Sequence, residues 1–166
     1  MLFPVQSLDG VGTEADAEIA YALGRPNAGV EWVLPDEMRR AGATSPGLDI
    51  RLEGLPVGMF MQVEVSRIGD PVFGYLRRMG ALVSSDIALV PVGARYRPES
   101  AAGVGTAAVA SGVEIAAALI DVRTGRVLWF GVEDGDSGPS DNPRVLASAA
   151  EALSRRLLPL PARERR

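Results

Sequence analysis

Between Val113 and Phe130 the chain carries an apolar run rich in β-branched and small residues, a polar break at Arg123-Thr124-Gly125, and a second run holding Trp129 and Phe130. Two such runs around a Gly-containing break predict a β-hairpin. With the side-chain period of two, Val113, Ile115, Ala117 and Leu119 share one face of the first strand. Glu114, Ala116, Ala118 and Ile120 share the other, where small side chains let a helix approach closely. Burying Val113, Ile115 and Leu119 contributes roughly 1.5–3 kcal/mol apiece. Asp121 and Gly125 are the turn-setting residues of this hairpin, and Trp129 is read as sheet packing.

The flanking sequence predicts the remaining elements. Leu2–Gln6 suggests a first strand. Thr13 is placed as the N-cap of a helix whose first-turn acids, Glu14 and Asp16, favour the helix dipole, and Gly24 and Pro26 end it. Val30–Leu34 reads as a second strand, and Pro35-Asp36-Glu37 opens a short helix ending at Gly42. Residues 43–58 are rich in Gly and Pro and read as irregular, whereas Met59–Val65 permits either a strand or a helical turn. Asp70 as N-cap and Pro71 at the first helical position start a helix with an apolar stripe at Val72, Tyr75, Leu76 and Met79. Ile87–Val92 is apolar without alternation, as in a strand covered on both faces. Asn142 and Pro143 start the last helix, which sets Leu146, Ala149, Ala150, Leu153 and Leu157 on one stripe.

Helices and strands alternate within one composition regime over 166 residues. The expected architecture is therefore α/β: a single compact domain over residues 1–159. It has a small mixed sheet of about four or five strands with a C-terminal hairpin, flanked by helices. Residues 160–166, with Arg163, Arg165 and Arg166, are expected to form a disordered, solvated tail. No apolar run approaches the ~20 residues of a membrane span.

Three residue types are absent: Cys, His and Lys, all 17 basic residues being Arg. This removes thiol nucleophiles, disulfides, imidazole bases, His- or Cys-ligated metals, Schiff bases and the P-loop lysine. A formal net charge of −4 supplies no basic field for nucleic acid. Gly10-Val11-Gly12 lies between a strand and a helix but lacks a third Gly, so it reads as a flexible loop, as does Gly103-Val104-Gly105. The acids Glu133, Asp134, Asp136 and Asp141 read as a solvated loop, because the position of a calcium loop's closing Glu is taken by Val145. Ser84, Ser85, Asp86 and Ser137 read as turn and cap residues. Arg95 and Arg97 could hold an anion or a partner's carboxylate, since a guanidinium fork grips such groups. The competing reading puts both in water and Tyr96 in the core. Trp32 and Trp129 are read as core. No catalytic residue, cofactor site or metal site is assigned.

The stretch Ser85–Gly93, the hairpin Ile115–Trp129, the helix Ala147–Leu153, the opening Phe3-Pro4-Val5 and the helix around 14–23 together resemble a bacterial envelope α/β domain. It is the domain shared by curli-secretion lipoproteins, penicillin-binding-protein activator lipoproteins and the N-terminal domain of the TolB translocation protein. Residues 43–70 lie outside the likeness. The resemblance implies a non-enzymatic, envelope-associated module that binds protein partners or itself through helix faces or a sheet edge. It implies a periplasmic or outer-membrane-associated location, with a possible lipid anchor, if the native gene carries a leader. Otherwise the expected location is cytoplasmic. A small-molecule or anion-binding domain using Arg95, Arg97 or the loop at 98–106 is the alternative, and an enzyme working with carboxylates alone is third.

Overall fold

The structure is a computed structural model that describes residues 1–25, 30–45, 50–62, 64–97, 112–139 and 142–158. Its strands are β1 (Leu8–Asp9), β2 (Ile87–Tyr96), β3 (Val113–Asp121) and β4 (Val127–Asp134), and its helices are α1 (Glu14–Leu23), α2 (Pro35–Ala43), α3 (Val72–Val83) and α4 (Pro143–Leu157). The strands form one mixed sheet in the order β1-β2-β3-β4, with β1 parallel to β2 and the other two pairs antiparallel. This is the α/β class, a compact sheet closed by the expected hairpin and flanked by helices. The expected tail at 160–166, the loop at 98–106, Gly103-Val104-Gly105, Pro26 and Asp141 lie outside the described residues.

The alternation along β3 divides the core in two. Val113, Ile115 and Ala117 join Ile19 and Leu23 of α1 and Ala149 and Leu153 of α4 on one side. Ala116, Ala118 and Ile120 join Met38 of α2 and Leu76 and Met79 of α3 on the other, with Phe60 from a 3-10 turn at Gly58–Met61. That turn takes Met59–Met61 of the ambiguous Met59–Val65 stretch to the helical side, while Glu64 and Val65 are neither helix nor strand and Val63 lies outside the described residues. Two helices per face seal a sheet only four strands wide, so β2 and β3 are buried on both sides.

The N-terminal segment departs from expectation for a specific reason. It tracks β2 in parallel, with Phe3 N–H donating to Leu89 O (2.9 Å), Gln6 N–H to Pro91 O (3.0 Å) and Ala94 N–H to Ser7 O (2.9 Å). Pro91 has no N–H to donate back to this segment, so the ladder is interrupted there and the regular strand is confined to Leu8–Asp9 rather than Leu2–Gln6. Val5, displaced from the ladder, donates its N–H to the Asp16 carboxylate instead (2.6 Å). Pro91 is tolerated in an interior strand because its nitrogen faces this interrupted segment, and the β2–β3 register shifts between Pro91 and Gly93.

Val30–Leu34 is not a strand. Val33 O accepts one bond from Leu2 N–H (2.9 Å), and the Leu34 N–H is taken by the Glu37 side chain (2.8 Å) in the cap of α2, so no ladder propagates. Thr13 occupies the N-cap of α1 without a side-chain cap bond. At α3 the N-cap position falls on Pro71 rather than Asp70, although the Asp70 carboxylate still accepts the Gly74 N–H (2.9 Å). Asn142 caps α4 by accepting the Arg144 N–H (3.0 Å).

Candidate functional site

Arg95 and Arg97 leave the end of β2 beside two acids on the neighbouring strands. The register aligns Arg95 with Glu114 and Glu114 with Asp134, a row across three strands. Directly opposed residues share a face, so the row brings cations and carboxylates together. Arg95 Nε donates to Glu114 Oε1. Arg97 lies 3.6 Å from Asp134 Oδ1, and its guanidinium also reaches Gly135 O and Ser137 Oγ, each at 3.4 Å. An incoming anion would have to displace these carboxylates, and Glu114 is largely shielded, with 14% of its side chain exposed. Tyr96, between the two arginines, packs against the α1/α4 side of the core.

Below Arg95 a groove of about 330 Å³ opens between Gln6, Asp9, Met61, Gly93 and Glu114. Within it Gln6 is committed to the fold, donating to Pro4 O (2.7 Å) and Leu52 O (2.9 Å) and accepting from Leu55 N–H (2.8 Å). The acidic stretch at the end of β4 does not converge. Glu133 faces Arg156 at 3.8 Å, Asp134 faces Arg97, and the Asp136 N–H donates to Ser148 Oγ (2.7 Å). Among the described residues no three acidic side chains are placed to hold one metal ion. Ser84 is the left-handed C-cap of α3 (φ 55°), and Ser85 Oγ donates to Ile87 O (3.0 Å). Gly10, at φ 74°, turns the chain toward α1.

The hairpin turn is built around Asp121. Its carboxylate accepts the N–H groups of Arg123 (2.8 Å) and Thr124 (3.2 Å), while its own carbonyl accepts the Gly125 N–H (2.8 Å). Desolvation is the largest single influence on this carboxyl and pushes its pKa up. The combined bonds from Arg123 and Thr124 outweigh it and hold the pKa below the ordinary value. Gly125 takes φ 71°, and its carbonyl accepts the Ile68 N–H (2.8 Å).

Beyond the turn, β4 is the outer strand of the sheet. The register slips at Leu128, a bulge that leaves Leu128 47% and Val132 43% exposed. Trp129 packs partly against the α1/α4 side, with its ring lying over Gly131, where a Cβ would meet the indole at 2.4 Å. Phe130 stacks on Phe60 on the opposite face, ring centroids 5.6 Å apart. Gly135 N–H donates to Val113 O, and alternation from that pair turns the amides and carbonyls of Phe130, Val132 and Asp134 away from β3. On that outer side Ser66–Ile68 pairs alongside Gly125–Val127, with Val127 N–H donating to Ser66 O (3.0 Å). Among the described residues nothing pairs with the edge from Leu128 to Asp134.

Sequence reasoning singled out Trp129, Asp121 and Gly125 but missed that the strand between them and the acidic loop borders solvent. The available signal was connectivity: consecutive antiparallel strands followed by a closing helix leave the last strand outermost. No helix among the described residues is long and apolar enough to cross a membrane. Compared with known proteins, the chain matches no family model, no curated protein and no solved structure.

Proposed function

We propose that this chain is a non-enzymatic contact module of the cell envelope, joining a protein partner through the free edge of β4. The observation that carries the reading is the edge itself. Leu128–Asp134 presents backbone groups with no partner among the described residues, beside exposed Leu128 and Val132, the arrangement onto which an extended strand adds. Between Val127 and Val132 the edge carries no Lys, Pro or acid, the bulge at Leu128 being its one protective feature. The missing Cys, His and Lys, and guanidiniums already matched by Glu114 and Asp134, support a binding role over a catalytic one. The likeness to envelope lipoprotein domains supports the location.

The test is a photo-cross-linking amino acid at Val132 in the native host, with Tyr21, 68% exposed on α1, as the control position. Adducts at 132 and none at 21, in the envelope fraction, are the expected result. Equal labelling at both positions, or none, overturns the edge reading, and recovery in the cytosolic fraction overturns the envelope location.

A further inference from the structure

The free edge has a length, a midpoint and a polarity, and all three bear on what fills it. Ser66–Ile68 occupies the outer side of β4 as far as Val127, so among the described residues the open slot runs from Leu128 to Asp134 and is centred on Gly131. One end is basic, with exposed Arg67 and Arg126. The other carries the exposed Asp136, next to Glu133 and Asp134, which face Arg156 and Arg97 of the same chain.

We infer that the slot is filled by β4 of a second copy of this chain, antiparallel and related by a two-fold axis at Gly131, joining two sheets into one. The inference rests on the edge reading proposed above and names its partner. The axis at Gly131 sets Phe130 opposite Val132 of the second copy, and vice versa. These are residues whose backbone groups point outward, so they can exchange both hydrogen bonds. On one face the exposed Val132 side chains gain apolar cover from Phe130. On the other, two glycines meet beneath the two Trp129 rings, where any Cβ would strike an indole. The acidic end of each strand arrives at Arg67 and Arg126 of the other copy, and no like charges oppose each other across the pairing. A parallel partner strand would instead set acids beside acids. The contact is isologous and therefore closes at two copies rather than extending into a fibre.

The test is light scattering on the purified full-length protein across a dilution series, read with three variants. Wild type is expected at twice the 17.5 kDa chain mass at high concentration, dissociating on dilution. Val132→Lys and the exposed-site Arg67→Glu should each raise the dissociation constant about tenfold or more. Arg67→Glu combined with Arg126→Glu and Asp136→Arg, which reverses both sides of the contact, should restore much of the loss, a rescue that a merely unfolded variant does not give. A wild-type monomer at all concentrations overturns self-pairing, as does a dimer indifferent to all three variants. If that monomer still cross-links through position 132 to a different protein in cells, self-pairing falls while the edge reading stands. If position 132 labels nothing as well, both fall.

Discussion

The Asp16 carboxylate of α1 accepts the backbone N–H of Val5 across 2.6 Å, at the point where the ladder to β2 is interrupted and Pro91 O accepts Gln6 N–H instead. Burial raises the Asp16 pKa, the Val5 bond and Arg39 opposing and Glu53 adding to the shift. An acid that is costly to desolvate is retained where it satisfies an otherwise orphaned amide. Asp16→Ala should therefore lose about 1–2 kcal/mol in urea unfolding. Asp16→Asn, which keeps the acceptor oxygen without the charge, should lose less than half of that. Equal losses for the two variants would remove the amide-capping role.

Gly80 in α3 faces a wall. A Cβ there would lie 2.5 Å from Ser85 O and 2.7 Å from Val122 Cγ2, and the first is backbone that cannot swing aside. Gly80→Ala should cost about 1–3 kcal/mol despite the ~1 kcal/mol gain in helix propensity. Gly58→Ala, where the same atom meets nothing within 4 Å, should change stability by about 0.5 kcal/mol or less. Thermal denaturation of the two variants side by side reads the contrast.

The hairpin turn titrates. Because its folded pKa is depressed, Asp121 stabilises the fold above its unfolded value near 4 and loses that contribution as pH falls through the folded value. Urea midpoints should fall from pH 5 toward pH 3 more steeply for wild type than for Asp121→Asn. Parallel profiles would mean the carboxylate does not discriminate folded from unfolded chain.

Arg95 and Glu114 are expected to act as a pair. Arg95→Ala should destabilise by about 1 kcal/mol, because it leaves the shielded Glu114 carboxylate uncompensated. Adding Glu114→Ala should give a total smaller than the sum of the two single changes. Phosphate should not raise the wild-type melting temperature beyond the effect of matched ionic strength. A saturable rise would show that the guanidinium prefers an external anion.

How much of this was legible in the sequence depends on the range of the interaction. The hairpin was, because Asp121, Arg123, Thr124 and Gly125 bond to one another within five positions. The division of β3 into two faces followed from its period. Val30–Leu34 misled because β propensity there loses to a cap bond from Glu37, and among the described residues no strand runs beside it. Leu2–Gln6 misled because its ladder partner in β2 is Pro91, which is distant in sequence and has no N–H to donate. Arg95 and Arg97 were visible as residues, but their neutralisation by Glu114 and Asp134 depends on cross-strand register.

Amide hydrogen exchange along β4, at low and high protein concentration, tests the free edge most directly. In dilute solution Phe130, Val132 and Asp134 should exchange quickly while Gly131 and Glu133, bonded to β3, exchange slowly. Raising the concentration should slow the first group and leave the second unchanged. Slow exchange at all five positions in dilute solution would mean the chain covers its own edge, and would contradict the account.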